Sequence, residues 1–112
     1  MILQDENYMV SFENDVIEMS GKLSLMTEDY DEIEKLFKKI IDKKPTLLTL
    51  DIRNLEYLNS SGIKTICVAL ILEIAELENH QLKILCSNKF TWQKETIPAL
   101  KDLMEQMITV FE

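Results

Sequence analysis

Leu47-Leu48-Thr49-Leu50-Asp51-Ile52-Arg53-Asn54-Leu55-Glu56-Tyr57-Leu58-Asn59-Ser60-Ser61-Gly62-Ile63 is the stretch that decides the fold. Its opening, Thr46 to Ile52, is short, apolar and leucine-rich, and it follows a helical pattern. It is expected as a buried strand in the middle of a sheet. The residues after it are polar and are expected to form a turn. Asn59-Ser60-Ser61-Gly62 then supplies residue types that begin helices. From Ile63 to about Asn79, apolar residues wrap more than half of a helix's circumference, which predicts a largely buried helix. Its last turns place Glu73, Glu76 and Glu78 on a more polar side.

On the N-terminal side, Tyr8, Val10 and Phe12 alternate with Met9 and Ser11, the period of a strand. Glu13-Asn14-Asp15 is a turn signal. Val16 to Leu25 is a second strand, so the two are expected to pair as an antiparallel hairpin. Gly21 interrupts it and suggests a bend or bulge. Thr27 is the candidate N-cap of a helix whose first turns are acidic (Glu28, Asp29, Asp31, Glu32) and whose end is basic (Lys35, Lys38, Lys39, Lys43, Lys44). That gradient complements the helix dipole. Ile33, Leu36, Phe37, Ile40 and Ile41 give it one apolar stripe, and Pro45 ends it.

On the C-terminal side, Gln81 to Cys86 is a short apolar strand and Ser87 to Thr91 a loop. A last helix follows that loop, most firmly between Thr96 and Gln106, with Pro98 in its first turn and Leu100, Leu103, Met104 and Met107 as its stripe. Ile108 to Phe111 can close the chain as a strand. Strand-helix-strand alternation implies parallel pairing with helices covering the sheet. The fold class is therefore α/β.

The chain has 112 residues, the size of one domain, expected to span 1–112. A composition of 46% hydrophobic and 29% charged residues is that of a globular chain able to bury its own core. The net charge is −8. Such a surface repels phosphate backbones, so nucleic acid and anionic membrane are poor partners, and a partner with a basic patch is easier to accommodate. Cys67 and Cys86 form no CxxC pair and His80 is the single histidine, too few soft ligands for a zinc site. Both cysteines have apolar neighbours and are expected as buried, reduced thiols. The N-terminal residues lack a signal-peptide pattern, and the longest apolar run, Ile66 to Leu72, is far short of the roughly 20 residues a membrane span needs. A cytoplasmic location is the expectation. No metal and no cofactor is implied.

Chemistry is expected at Asn59-Ser60-Ser61-Gly62. Open α/β sheets place functional groups where a central strand ends and the chain turns into a helix. A hydroxyl there is exposed to a kinase, and the helix start offers unpaired amides. Asn, Ser and Gly are also ordinary capping residues, and on composition alone capping explains them. Thr65 and Thr91 are weaker phosphate acceptors. Phe90, Trp92 and Tyr57 lie near expected loops and are either binding anchors or core residues.

The stretch from Leu47 to Ile63 resembles the signature of the STAS domains, the sulfate transporter and anti-sigma factor antagonist domains. There an apolar strand with Asp is followed by an apolar pair and then Asp-Ser-Ser-Gly-Leu. Ser20-Gly21-Lys22-Leu23 resembles the family's earlier Gly-x-Leu element. The resemblance implies a single-domain STAS-like fold, a mixed, mostly parallel sheet of four to five strands covered by three to four helices. Stand-alone members, the anti-sigma factor antagonists, are non-enzymatic partner-switching regulators. The resemblance implies binding to a serine/threonine protein kinase of the anti-sigma type, release on phosphorylation of a motif serine, and resetting by a PP2C-type phosphatase. By position the modified residue would be Ser60, with Ser61 in reserve. Partner contacts would fall on Tyr57, Asn59, Ser60, Ser61, Gly62 and Lys64. A homodimer is left open. The family's aspartate is Asn59 here, which removes a negative charge beside the serine and points to a branch distinct from the sporulation-type antagonists.

Two other functions compete. An enzyme would need a base for Ser60, and His80 lies at the far end of the same helix, roughly 25 Å away for about 17 residues. No GxxxxGK or GxGxxG loop is present. The stronger alternative is a constitutive protein-interaction module, or a subunit of an assembly, with no phosphorylation.

Overall fold

The computed structural model describes residues 1–112. In chain order the elements are β1 (Ile2–Gln4), β2 (Tyr8–Glu13), β3 (Val16–Leu23), a 3₁₀ turn (Thr27–Tyr30), α1 (Asp31–Asp42) and β4 (Leu47–Leu58). Then come α2 (Ser60–Ile66), a π-helical segment (Cys67–Ile71), α3 (Leu72–Ala75), β5 (Gln81–Cys86), α4 (Thr91–Leu100), a 3₁₀ turn (Lys101–Leu103) and β6 (Ile108–Phe111). One six-stranded sheet runs in the order β1-β2-β3-β4-β5-β6. The first two pairings are antiparallel, and β3, β4, β5 and β6 are mutually parallel through helical crossovers. The α/β architecture is as expected. The sheet is larger by β1, whose three residues are too few to show a period.

The hairpin between β2 and β3 closes through Asn14 and Asp15, both at positive φ (52° and 60°). This two-residue turn matches the twist of the strands, and Asn and Asp tolerate that conformation best after glycine. Gly21 has φ +85°, and a Cβ there would sit 2.2 Å from the Asn7 carbonyl oxygen. Only glycine fits.

Phe12, Ile17, Leu50 and Ile84 lie side by side across four strands, one row of the buried face. Val10, Met19, Leu48 and Leu82 extend that face, while Glu18, Thr49 and Lys83 point the other way and keep some exposure. Tyr30, Ile33, Phe37 and Ile40 of the first helical connection and Ile66, Leu70 and Ile74 of the second close the core.

β4 departs most from expectation. In place of a strand ending at Ile52 and a polar turn, it continues to Leu58. Its pairing with β3 slips twice: Glu18 and Ser20 face Asp51 and Asn54, and Gly21 and Lys22 face Leu55 and Tyr57. Each slip inserts one extra residue into β4. The buried positions therefore step by three, Ile52, Leu55 and Leu58, and the alternation that marks a strand disappears. β5 pairs β4 only as far as Asp51, so the extension has sheet on one side alone.

The helices differ in their ends. Thr27 caps no helix: Met26 precedes a 3₁₀ turn without any side-chain cap, and α1 begins at Asp31. The second helix starts at Ser60, three residues early, and ends at Ala75. In its middle the Leu72 amide donates to the Cys67 carbonyl five residues back, a π-bulge of the kind that adds one residue to a helix. The last helix occupies Thr91–Leu100, well before the expected Thr96–Gln106. Pro98 sits in its last turns, and the chain passes into a 3₁₀ turn at Lys101, as a residue without an N–H favours. Met104 and Met107 are buried but lie beyond the helix.

Gln93, fully buried, holds the β4 extension to α4. Its Nε2 donates to the carbonyls of Ile52 (2.7 Å) and Leu55 (3.0 Å), and its Oε1 accepts from the Ser87 amide (2.8 Å). The Trp92 indole adds a bond to the Leu55 carbonyl at 3.1 Å. These side chains replace the ladder that β5 does not supply. No buried side-chain polar atom lacks a partner.

On the opposite face, Arg53 folds back over Asp51, Nε to Oδ1 at 3.0 Å and Nη2 to Oδ2 at 2.9 Å, and reaches Glu112 at 3.2 Å. Burial raises the Asp51 pKa, but the hydrogen bonds and charge of Arg53 outweigh it and hold the carboxyl below the ordinary range. A depressed folded pKa contributes stability that is present above the unfolded value of about 3.9 and lost as pH falls through the folded value. In Arg53→Ala the side-chain hydrogen bonds and the charge are lost and burial is opposed only by the backbone N–H of residue 53, so the folded pKa rises. The acid-unfolding midpoint, followed by circular dichroism, is expected to move to higher pH in that variant.

Candidate functional site

Asn59 follows β4 and caps α2 with extended backbone angles (φ −80°, ψ 174°). Its Oδ1 accepts from the Gly62 amide at 2.9 Å, the geometry of an N-cap. The same oxygen accepts from the Tyr30 hydroxyl. Its Nδ2 donates to the Leu25 carbonyl at 2.8 Å, and the Leu25 amide donates back to the Tyr30 hydroxyl at 3.4 Å. These bonds form a closed ring of Leu25, Tyr30 and Asn59 that ties the segment after β3 to the start of α2. Burial raises the Tyr30 pKa, so the phenol stays neutral and can donate.

Gly62 is buried. A Cβ there would lie 2.3 Å from Leu58 Cδ1 and 2.6 Å from the Tyr30 hydroxyl oxygen. The glycine of the turn is therefore needed for close packing of Tyr30 on the helix start, and it presents nothing to a partner's side chains.

The two serines differ. Ser61 is half-buried, its hydroxyl 2.9 Å from the Thr27 hydroxyl, and its carbonyl accepts from Thr65 at 2.9 Å. Ser60 is exposed, and its hydroxyl makes no hydrogen bond within the protein. Tyr57 (49% exposed) precedes it, Lys64 is exposed one turn along α2, and Met26 (67% exposed) adjoins Thr27. Of the residues singled out for partner contact, Tyr57, Ser60 and Lys64 are exposed, Asn59 and Ser61 are half-buried and Gly62 is buried. Thr65 is buried, and Thr91 is exposed at the start of α4.

Leu25 and Tyr30, which close the ring, and Thr27, which meets Ser61, are parts of the site that the sequence does not announce. A glycine directly after a capping triplet is a signal of close packing, but it does not say which side chain packs there.

The ring explains why Asn59 is an amide. A carboxylate could accept from Gly62 and Tyr30 but could not donate to Leu25. Asn59→Asp is expected to lose about 1–3 kcal/mol at neutral pH, the cost of an unpaired buried carbonyl facing an anion. Urea titration at neutral pH measures the loss.

His80 Nδ1 is bonded to the Pro45 carbonyl (2.7 Å), beyond the other end of the helix. Cys86 is fully buried, its thiol pushed up to about 12 by burial and by Asp51. Cys67 is half-buried, its pKa also raised by burial, and neither cysteine is in a disulfide. No group of three His, Cys, Asp or Glu residues is placed to hold a metal ion. No helix is long and apolar enough to cross a membrane.

Comparison with known proteins identifies the fold. The structure aligns with the crystal structure of an anti-sigma factor antagonist from Mycobacterium paratuberculosis at a TM-score of 0.63 and 16% sequence identity, covering 91% of this chain and 84% of that one. The chain has a STAS-like fold. No family model matches the sequence, and no curated protein matches it either.

Proposed function

We propose that this protein is a partner-switching regulator: it docks on a serine/threonine protein kinase of the anti-sigma type through the surface around Ser60, and phosphorylation of Ser60 releases it. The observation that carries the reading is the contrast between the serines. Ser60 is exposed with a free hydroxyl, whereas Ser61 is engaged with Thr27. A kinase reaches the first without disturbing the cap. The fold shared with an anti-sigma factor antagonist supports the same reading.

The physics suits a switch. A phosphoserine brings about −1.5 to −2 charges at pH 7. At the first residue of a helix the free amides and the dipole tolerate it, so the fold survives. On a docking surface the same dianion must be desolvated and repels acidic groups of the partner. No conformational change is required. Removal of the phosphate by a PP2C-type phosphatase resets the cycle in this scheme, which operates in the cytoplasm.

The test is affinity purification of the wild-type protein and of Ser60→Ala from the native cell, with phosphate mapping of the bait by mass spectrometry. A co-purifying kinase and a phosphate on Ser60 are expected for wild type, with a more persistent complex for Ser60→Ala. A stable partner with no phosphate on any residue would indicate a constitutive interaction module instead.

A further inference from the structure

A second surface lies farther along the same helix. Between α1 and the π-helical segment runs a groove of about 390 Å³ with a floor of Ile41, Val68 and Ala69. Glu34, Asp42 and Glu73 rim it, with Lys38 as the single cation. None of these four charges is in a salt bridge; the ion pairs of the molecule are Lys35–Glu32 and those of Arg53. The rim thus carries an unneutralised excess of two negative charges. Val68 is 50% exposed and Leu72, one turn on, is 39% exposed, so an apolar strip continues out of the groove. The strip occupies the π-bulged part of the helix, and such bulges occur often at functional positions.

We infer that this groove docks a basic amphipathic helix of a partner protein, its apolar side chains on Ile41, Val68 and Leu72 and its Lys or Arg residues against Glu34, Asp42 and Glu73. Charge selects this occupant. A second copy of the same chain, at net charge −8, would bring like charge to an acidic rim, whereas a basic helix meets it with opposite charge and fills the floor. The volume suits two or three aliphatic side chains rather than a whole interface, so the contact is a peptide-like one. It stands apart from the phosphorylation reading and depends on no modification of Ser60.

The probe is a short synthetic amphipathic helix with leucine on one face and lysine on the other, titrated into the isotopically labelled protein by NMR. A peptide with glutamate in place of lysine is the control. Amide shifts are expected at Ile41, Val68 and Ala69 for the lysine peptide, absent for the glutamate peptide and weaker in high salt. Combined Glu34→Lys, Asp42→Lys and Glu73→Lys substitutions are expected to weaken binding at least about tenfold. Val68→Lys, at an exposed position that does not endanger folding, is expected to weaken it as well. The inference is overturned if the lysine peptide shifts residues across the acidic surface at large, if it binds at the Ser60 surface instead, if the glutamate peptide binds equally, or if sedimentation shows the groove closed by a second copy of the chain.

Discussion

Gln93→Leu is expected to cost about 3–4 kcal/mol, a large share of the 5–15 kcal/mol by which a domain of this kind is folded. Leucine fills nearly the same space, so the loss is one of hydrogen bonds and little of packing. Gln93 serves the Ser87 amide and the carbonyls of Ile52 and Leu55. The Leu55 carbonyl keeps the Trp92 indole. The Ile52 carbonyl and the Ser87 amide lose the partner that Gln93 supplies, in a place where water reaches poorly, and each unsatisfied group costs about 1–3 kcal/mol. Urea unfolding followed by circular dichroism gives the number. Trp92→Phe, which leaves Gln93 bonded to Leu55, is expected to cost less than half as much. Equal losses for the two variants would show that the β4 extension is held by packing.

The second large effect concerns binding. Ser60→Asp places one negative charge at the first residue of α2 with the cap ring untouched, since the Ser60 hydroxyl takes part in no hydrogen bond of the protein. Thermal stability is expected to be unchanged or slightly raised, because a carboxylate near a helix N-terminus is favourable by about 0.3–1 kcal/mol. Partner affinity is expected to fall more than about 100-fold, which needs only ~3 kcal/mol of desolvation and repulsion. Ser60→Ala is expected to bind as wild type. Ser61→Ala, by contrast, removes the hydroxyl that meets Thr27 and is expected to lower stability while leaving the Ser60 hydroxyl as it is. The pair of positions therefore separates an effect on docking from an effect on folding, read by calorimetric titration alongside thermal melts.

Much of the fold was legible because most elements keep a single period. β2, β5 and β6 alternate cleanly or form short apolar runs between turn signals, and the stripe of α1 is regular. The failures fall where two interactions compete. β4 past Ile52 carries two extra residues, so its apolar positions step by three, a spacing that belongs to neither strand nor turn. The last helix lies earlier than its apolar stripe suggests, because Leu103, Met104 and Met107 continue the stripe past the helix end and the β4 carbonyls that Trp92 and Gln93 satisfy leave no mark in the sequence. Pro98 marked a helix start by its usual preference, yet it stands near the helix end. Thr27 has the right chemistry for a cap but spends its hydroxyl on Ser61, thirty-four residues away.

The site was legible in its central residues and not in its support. Asn59, Ser60, Ser61 and Gly62 are contiguous and carry a recognisable pattern. Leu25 and Tyr30 reach them only through the crossover that lays the segment after β3 over the start of α2. The replacement of aspartate by asparagine, a departure when seen as a motif, is physically specific once the Leu25 carbonyl is seen to need a donor.

The most direct measurement compares protein carrying phosphoserine at residue 60, installed during synthesis, with unmodified protein against the same purified kinase partner. The account predicts matching circular dichroism spectra and melting temperatures, with tight binding for the unmodified form and none detectable for the phosphorylated one. Binding of equal strength by both forms, or a phosphorylated form that no longer folds, would contradict it.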